Sequence, residues 1–392
     1  MKSVIKQLAK KYIDDIITIR RKIHSNPELS FEEKETSELI ISKLEAMGVE
    51  YKTGFAKYGI LAVIKGEKGK GKTVALRADM DALPLEEDND LEFKSKNIGK
   101  MHACGHDIHT SCLLGAAKIL NTIKKDISGT ILLIFQPGEE RIPGGASLMM
   151  ADGLFKEYIP DLIIGQHVYP ELPAGEVGFR KGKYMASSDE IYITLKGKGG
   201  HAALPQNTID TVLMASQTVV SMQQIVSRVI PTQVPSVLSF GNIACNSVMN
   251  IIPETVKLEG TLRMMDEEWR YKIHDKIRDI AKSVAEGMGG SCDVDIQIGF
   301  PSVYNNPDIT QKAQDSAVEF LGQNRVHDLD IRMTAEDFGW FAQKYPACFY
   351  RLGVGHKDGT KSEGLHSPNF IANEDSIELG MSLMAFIAVN AL

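Results

Sequence analysis

The sequence predicts a two-domain α/β chain, in which a mixed sheet with helices on both faces is interrupted by a smaller α+β domain. Its 392 residues exceed the roughly 250 to 300 at which a single hydrophobic core stops growing. Short apolar strands alternate with helical segments in the first half of the chain, which is typical of such a layered sheet. A separate β-α-β-β-α-β pattern then begins near residue 187. We therefore expect one domain from residues 1–186 and 300–392, with residues 187–299 inserted.

The first domain is predicted from hydrophobic patterns of two kinds. Amphipathic stretches with a helical period predict helices at residues 3–26, 30–47 and 109–124. Nearly continuous apolar runs predict strands at residues 59–65, 73–78, 130–136 and 161–166. Strands that are apolar throughout are buried on both faces, so the sheet is expected to be parallel or mixed and covered by helices.

Polar side chains follow three of these strands. Asp79 and Asp81 come after the second strand, Glu139 and Glu140 after the third, and His167 after the fourth. In open α/β sheets, ligands bind beyond the carboxyl ends of the strands. We therefore expect these side chains to meet at one edge of the sheet.

The inserted domain has the order of elements found in a ferredoxin-like layer. The predicted elements are strands at 190–196, 236–244, 255–263 and 291–298 and helices at 208–228 and 267–287. After residue 301 the first pattern resumes, with a helix at 309–322, a strand at 347–352 and a helix at 374–391. This last part of the chain, which carries His366, is expected to complete the first domain.

Composition excludes several classes of partner. A net charge of -7 disfavours nucleic acid. No stretch has the apolar core of a signal peptide or the roughly 18 to 20 apolar residues of a membrane span, so no membrane partner and a cytoplasmic location are expected. The five cysteines are an odd number without paired spacing, which indicates free thiols or ligands rather than disulfides.

Residues 101–110 concentrate three histidines, one cysteine and one aspartate, although the whole chain has ten histidines. Cys104 and His106 lie two positions apart before a predicted helix, so both side chains can converge on one ion. A buried core cysteine beside a helix-capping histidine is the alternative. Gly105 and the adjacent Asp107 favour the metal site.

Glu139 and Glu140 are adjacent carboxylates at the end of an apolar strand. Acidic residues are also common in the first turn of a helix, which is the alternative explanation. A loop with Pro143, Gly144 and Gly145 follows them, however, and such a loop lets the backbone approach a ligand closely. One carboxylate would then bind metal and the other would move protons, which predicts metal-assisted hydrolysis.

Four further residues are weaker candidates. The alternative explanation for His167 is a polar strand terminus, and that for His366 is a surface histidine in the loop before Pro368. Asp79 and Asp81 alternate along the chain, as expected of a carboxylate that orients a histidine ligand, but loop capping explains them as well.

The inserted domain offers three more candidates. His201 follows a glycine-rich turn without the Lys-Ser or Lys-Thr ending of a phosphate-binding loop, so nucleotide binding is not expected. Asn250 and Arg263 carry an amide and a guanidinium that suit a substrate carboxylate. A surface arginine remains the alternative.

Taken together, these motifs resemble the amidohydrolase branch of the aminoacylase and carboxypeptidase family of two-metal hydrolases. That branch includes hippurate hydrolases, N-acyl-amino-acid deacylases, N-acetyl-diaminopimelate deacetylases and plant auxin-conjugate hydrolases. The resemblance runs over essentially the whole chain and rests on the segments at residues 101–110, 136–146, 165–170, 199–203 and 365–370.

The resemblance implies a metal centre with two divalent ions per subunit. It favours manganese, while zinc, cobalt or nickel would also suit such ligands. Cys104 would bridge the two ions, and Glu139 would be the general base. The implied ligands are Cys104, His106, Glu140, His167 and His366.

The resemblance also implies roles for residues outside that centre. The inserted domain would form a homodimer, with a higher oligomer as an alternative, and His201 would reach the partner subunit's site to stabilise the oxyanion. Asn250 and Arg263 are similar to residues that hold the substrate carboxylate. The wider family has a His-x-Asp ligand pair where this chain has Asp79-Met80-Asp81, so Asp79 is not expected to be a ligand and Asp81 is expected to support one.

The predicted function is therefore metal-dependent removal of an acyl group from an N-acyl-L-amino acid or a related amino-acid conjugate. A dipeptidase or carboxypeptidase with the same two-metal centre is the alternative within enzymes. A non-catalytic binder of amino-acid conjugates is the alternative from another class, although Glu139 argues against it, because a binder gains nothing from a base beside the metal.

Overall fold

The structure, a computed structural model, describes residues 1–358, 360 and 362–392. It confirms the mixed α/β architecture with an inserted ferredoxin-like layer. The helices are α1 (Lys2–His24), α2 (Lys34–Ala46), α3 (His106–Thr122), α4 (Gly145–Ala151), α5 (Thr211–Gln224), α6 (Glu267–Gly287), α7 (Pro307–Leu321), α8 (Gly339–Ala342) and α9 (Ser376–Ala391). The strands are β1 (Glu50–Phe55), β2 (Gly59–Lys65), β3 (Thr73–Asp79), β4 (Thr130–Gln136), β5 (Leu162–Pro173), β6 (Val177–Phe179), β7 (Gly182–Met185), β8 (Asp189–Lys196), β9 (Gly200–His201), β10 (Ser236–Ala244), β11 (Ile251–Ile252), β12 (Thr255–Met264), β13 (Ser291–Ile298), β14 (Val303–Asn305), β15 (Val326–Asp328) and β16 (Ala347–Gly355).

The chain divides into two compact units. The larger unit contains the metal-ligand candidates, and the smaller one contains the ferredoxin-like layer. Unit 1 consists of Met1–Gly182, Tyr304–Asp330 and Trp340–Leu392, and unit 2 of Lys183–Val303 and Ile331–Gly339.

Unit 1 is built on a mixed sheet with the strand order β1-β2-β4-β3-β5-β16-β6-β15. Strands β4, β3, β5 and β16 run parallel to their neighbours in that series, so their carboxyl ends share one edge. Alternate side chains of these strands, among them Leu76, Leu133 and Ile164, join one core with α1, α3 and α9. Both faces of β4 are buried, which explains why its sequence is apolar without alternation.

Unit 2 has an antiparallel sheet with the strand order β10-β12-β8-β13. Its apolar face packs with α5 and α6 around Ile193, Leu258 and Ile277. Asp210 and Asp266 cap the two helices by accepting hydrogen bonds from backbone N–H groups of the first turn.

Several element ends differ from the sequence prediction, and three of these differences affect candidate residues. Helix α3 begins at His106 rather than at residue 109, because Gly105 takes the left-handed φ of +77° and starts the helix there. Strand β3 ends at Asp79, so Asp81 lies in the following loop. Strand β5 continues to Pro173, so His167 lies inside the strand and not at its end.

A search of the described residues for helices of sufficient length and apolar character to cross a membrane finds none.

Candidate metal centre

Cys104, His106 and His167 bring three donor atoms together where α3 begins beside β5. The Cys104 Sγ atom lies 3.5 Å from Nε2 of His167. A Cβ atom on Gly105 would lie 2.6 Å from Cγ2 of Val168, so glycine permits both the left-handed turn and the close approach to β5. All three donor side chains are buried.

Cys104 also belongs to a second group of donors, with Glu140 and His366. Nε2 of His366 lies 3.3 Å from Oε1 of Glu140. His366 has a φ of +63°, which is uncommon for a residue with a side chain, and its backbone N–H donates to the Ala103 carbonyl over 2.9 Å. The loop is thus held in an unusual conformation that brings the imidazole to Cys104.

The donor atoms of each group lie within 4.8 Å of one another, and Cys104 is common to both. Nε2 of His106 is buried and has no hydrogen-bond partner among the described residues, yet carboxylate oxygens of Glu139 and Glu140 lie 4.0 and 3.9 Å away. A cation between these atoms would satisfy the imidazole nitrogen. Thiolate, imidazole and carboxylate donors suit zinc and other first-row divalent ions, so the residues fit a centre of two such ions.

The electrostatics of the site also favour cations. Burial, and then the charge of Glu140, raise the pKa of the Cys104 thiol, so a positive charge nearby is needed to form the thiolate that binds metal. Contacts with Cys104 and Glu140 raise the pKa of His366 to about 10. Burial and Arg351 lower the pKa of His167, which keeps its imidazole neutral as ligation requires.

Glu139 lies beside the donor groups on the turn that follows β4. Its side chain is buried, and Oε2 lies 4.0 Å from Nε2 of His106. Glu140, the next residue, belongs to the donor group with Cys104. Glu139 belongs to a different group, with His106 and Glu140, so of the two adjacent carboxylates only Glu140 also reaches Cys104.

Asp81 supports both sides of the centre. Its Oδ1 accepts hydrogen bonds from the Glu139 N–H over 3.1 Å and pairs with Nδ1 of His106 over 3.2 Å. Its Oδ2 accepts from the Glu140 N–H over 3.0 Å and from Oγ of Ser30 over 2.6 Å. Burial opposes ionisation of this carboxyl, but His106 and Ser30 hold its pKa below the usual value. Asp81 therefore links the orientation of the His106 imidazole to the turn that carries the two glutamates.

Sequence reasoning missed a second support, made by His109 and Arg77. The Val168 N–H donates to Nε2 of His109 over 2.8 Å, so the proton of this imidazole lies on Nδ1, which faces Oδ1 of Asp79 at 2.5 Å. Arg77 binds the other oxygen of Asp79 at 2.5 Å and donates to Gln136. Both nitrogens of His109 and both oxygens of Asp79 are thus used within the protein. The spacing of His109 one helical turn after His106 was the available signal.

The three candidates in unit 2 lie on or beside its two-stranded sheet, formed by β9 and β11, and on its four-stranded sheet. His201 is exposed on β9, paired with Ile251 of β11, and the Ala202 N–H donates to the carbonyl of Asn250. The pairing of β9 with β11 therefore holds His201 and Asn250 close together. Arg263 lies on β12, opposite Val237 of β10, and burial lowers the pKa of its guanidinium.

A family model described as peptidase family M20/M25/M40 matches residues 75–390. This chain belongs to the M20/M25/M40 peptidase family. The match covers the candidate metal ligands and the whole of the ferredoxin-like unit, and it confirms the resemblance stated from the motifs. Membership makes the protein a hydrolase of the metal-dependent peptidase and amidohydrolase class.

Characterised members resemble the chain over nearly its full length. Thermostable carboxypeptidase 2 of Saccharolobus solfataricus is 40% identical over 98% of this chain and 97% of its own. N-acetylcysteine deacetylase of Bacillus subtilis is 36% identical over 96% of this chain and 97% of its own. Among M20 members of solved structure, the Bacillus subtilis YXEP protein, a dinuclear metal binding peptidase, has a TM-score of 0.84 at 32% identity, covering 97% of this chain and 98% of its own.

Proposed function

We propose that the protein is a metal-dependent amide hydrolase that removes the acyl group from N-acyl-L-amino acids or related conjugates. The observation that carries this proposal is the pair of three-donor groups that share Cys104, with Glu139 directly beside them. A site of this kind combines ligands for two ions with a further carboxylate, that of Glu139, close to the same His106 imidazole. Binding alone would not require that second carboxylate.

The proposed ligands are Cys104, His106, Glu140, His167 and His366. Divalent ions held there would supply Lewis-acid chemistry, lowering the pKa of a water molecule and polarising the amide carbonyl. Glu139 is proposed to take the proton of the attacking water and to pass it to the nitrogen of the departing amine. Asp81 would hold both His106 and the turn that carries Glu139 and Glu140 in place during this transfer.

The substrate is proposed to carry a free carboxylate next to the amide that is cleaved. A carboxypeptidase and an N-acetylcysteine deacetylase are both among the relatives, and each of these reactions releases an amino acid from an amide. Asn250 and Arg263 are proposed to bind that carboxylate, and His201 to stabilise the oxyanion. Peptide cleavage is the second candidate, because the carboxypeptidase relative is 40% identical.

Three further properties belong to the same proposal. Manganese is proposed as the metal, with zinc, cobalt or nickel as substitutes. A homodimer through unit 2 is proposed because Leu213 and Val220 of α5 and Ile243 of β10 are apolar and 56% to 66% exposed. A cytoplasmic location is proposed because the chain has an odd number of cysteines, which suits a reducing compartment.

The experiment that tests the function measures amine release from N-acetyl, N-benzoyl and dipeptide substrates. Chelator-treated protein is assayed with and without Mn²⁺ or Zn²⁺. Hydrolysis of N-acyl amino acids that depends on added metal supports the deacylase, and hydrolysis of dipeptides alone supports the peptidase. Metal binding without turnover of any substrate would instead favour a binder.

The role of Glu139 is tested with Glu139→Gln. We expect kcat to fall by roughly 10² to 10⁴ with metal content unchanged, because Gln cannot accept the proton. Glu38→Gln is the matched control, since Glu38 is exposed on α2 and forms a surface pair with Lys34. A Glu139→Gln protein that binds metal and turns over at the parent rate would contradict the mechanism.

A further inference from the structure

Three consecutive backbone N–H groups of the turn after β4 point at buried carboxyl oxygens. The Gly138 N–H donates to Oε1 of Glu33 over 2.8 Å. The Glu139 and Glu140 N–H groups donate to Oδ1 and Oδ2 of Asp81 over 3.1 and 3.0 Å. The peptide planes of the turn are therefore held by two carboxyl groups from elsewhere in the chain. Asp81 was expected from the sequence as a supporting residue, and Glu33 was not.

The loop that carries Glu33 is fixed by its own contacts. Glu33 lies directly before α2, and the same loop is fixed by Glu28, whose carboxylate accepts from the N–H and the hydroxyl of Thr36. Phe31 in this loop has a φ of +67°. Its ring fills the space beside Gly138, where a Cβ atom would lie 2.3 Å from Cε1 of the ring. The loop and the turn are thus packed together with no room for a side chain between them.

The two carboxyl groups differ in charge. Asp81 accepts three hydrogen bonds and also pairs with His106, which stabilises its negative form. Glu33 is fully buried, and its Oε2 has no hydrogen-bond partner in the part of the chain that the structure describes. Burial, and then the nearby negative charge of Asp81, raise the pKa of Glu33 to about 8. Glu33 therefore accepts from Gly138 as a neutral acid near pH 7.

We propose that Glu33 is a positioning residue for the reaction, a buried carboxyl that orients the Glu139 side chain through the Gly138 N–H. This inference rests on the proposed function, because it gives Glu33 a role through the general base. Without the Oε1 acceptor, the Gly138 N–H is buried and unpaired, which favours rotation of the Pro137–Gly138 peptide plane, one peptide before the plane that carries the Glu139 N–H. Misplacement of a catalytic group by about 1 Å can lower a rate by roughly 10².

The test compares Glu33→Gln with Glu33→Ala, because glutamine keeps an oxygen that can accept from Gly138 and stays neutral. We expect Glu33→Ala to lower kcat by roughly 10- to 100-fold, with KM and bound metal unchanged. Glu33→Gln should restore kcat to within about 3-fold of the parent. Glu28→Ala is the matched control, since it weakens the same loop at the start of α2 without touching the turn, and kcat should follow only its folded fraction.

A pH profile separates positioning from a merely structural role. Asp81 is the charged group that most affects the pKa of Glu33. As pH rises through about 8, Glu33 ionises beside Asp81 in the parent protein but not in Glu33→Gln. The ratio of kcat in Glu33→Gln to kcat in the parent should therefore rise above that pH. Thermal unfolding and metal analysis of each variant are measured in parallel.

Two results would overturn the inference. One is a Glu33→Ala protein that is folded and has the parent kcat. The other, which stands even if Glu33→Ala does not fold, is a constant ratio of Glu33→Gln to parent kcat from pH 6 to 10. Glu139→Gln is assayed alongside: if it turns over at the parent rate, the proposed function fails, whereas an inactive Glu139→Gln with unaffected Glu33 variants refutes the positioning role alone.

Discussion

Replacing Asp81 with asparagine removes one negative charge and one acceptor from the most connected carboxylate of the site. If the asparagine keeps its oxygen toward Glu139 and His106, its NH₂ group can donate to Oγ of Ser30. The same NH₂ group then faces the N–H of Glu140, which loses its acceptor. The opposite orientation of the amide is worse, because two donors would face the NH₂ group.

The size of the effect follows from these contacts. A buried N–H without a partner costs about 1 to 3 kcal/mol, and a hydrogen bond to a neutral acceptor contributes about 1 kcal/mol less than one to a carboxylate. Because such terms do not add fully, we expect Asp81→Asn to lower the free energy of unfolding by about 2 to 4 kcal/mol. The His106 imidazole also loses its charged partner, and loss of such support typically weakens metal binding by about 10- to 100-fold.

The assay pairs urea unfolding with metal titration against a chelator of known affinity. Asp210→Asn is the matched control, since Asp210 accepts from the N–H groups of Val212 and Leu213 at the start of α5, and asparagine caps helices about as well as aspartate. Its unfolding free energy should change by less than about 0.5 kcal/mol and its metal affinity not at all. An Asp81→Asn protein that matches this control in both measurements would refute the role assigned to Asp81.

Two further predictions concern buried ion pairs whose members are not among the proposed metal ligands. Burial lowers the pKa of His24, but contacts with Asp107 and Glu87 outweigh burial and raise this pKa above its usual value. The stability that His24 contributes is therefore complete below about pH 6.5, and it is lost as pH rises through the higher pKa of the folded protein. Urea unfolding of the metal-free protein from pH 6 to 9 should show this loss in the parent and not in His24→Gln. Equal slopes of the unfolding free energy against pH in the two proteins would contradict the prediction. Arg270→Ala should lower the free energy of unfolding by about 3 to 5 kcal/mol, because Arg270 pairs with the fully buried Asp189 at 2.5 and 2.9 Å. A loss below about 1 kcal/mol by chemical denaturation would show that the remaining carboxylate is accommodated without its partner.

The strand and helix order was predictable because it depends on hydrophobic periodicity, which is local. Strands β2, β4, β10 and β13 have the predicted bounds, and so does α6. The convergence of Asp81, the Glu139–Glu140 pair and His167 was also predictable, because β3 and β4 end at one edge of the sheet and β5 runs parallel beside β3. Element ends were less accurate, since they depend on single turn residues such as Gly105 and on pairing that continues past the apolar run, as in β5.

The supporting residues were much harder to predict from the sequence than the donors. Donors such as Cys104 and His106 are chemically distinctive and close in sequence. Glu33, by contrast, is one acid in a run of charged residues before α2, and its partner Gly138 lies 105 positions later. Its role depends on full burial and on a long-range hydrogen bond, and neither leaves a pattern in the surrounding sequence.

Backbone conformation links the two donor groups to the rest of the chain. Three of the four segments that carry a donor turn at a residue with positive φ: Gly105 before His106, Gly138 before the two glutamates, and His366 itself. The donor of the fourth segment, His167, lies in the extended strand β5. Glycine takes a positive φ without strain, so the first two turns have a signal in the sequence. A histidine does not, and its strained backbone persists only when surrounding contacts hold it, here the hydrogen bond from its N–H to the Ala103 carbonyl beside Cys104. His366, which completes the second donor group, is therefore held by the segment that carries Cys104, the donor common to both groups. Changes that move residues 103–105 should disturb both groups together.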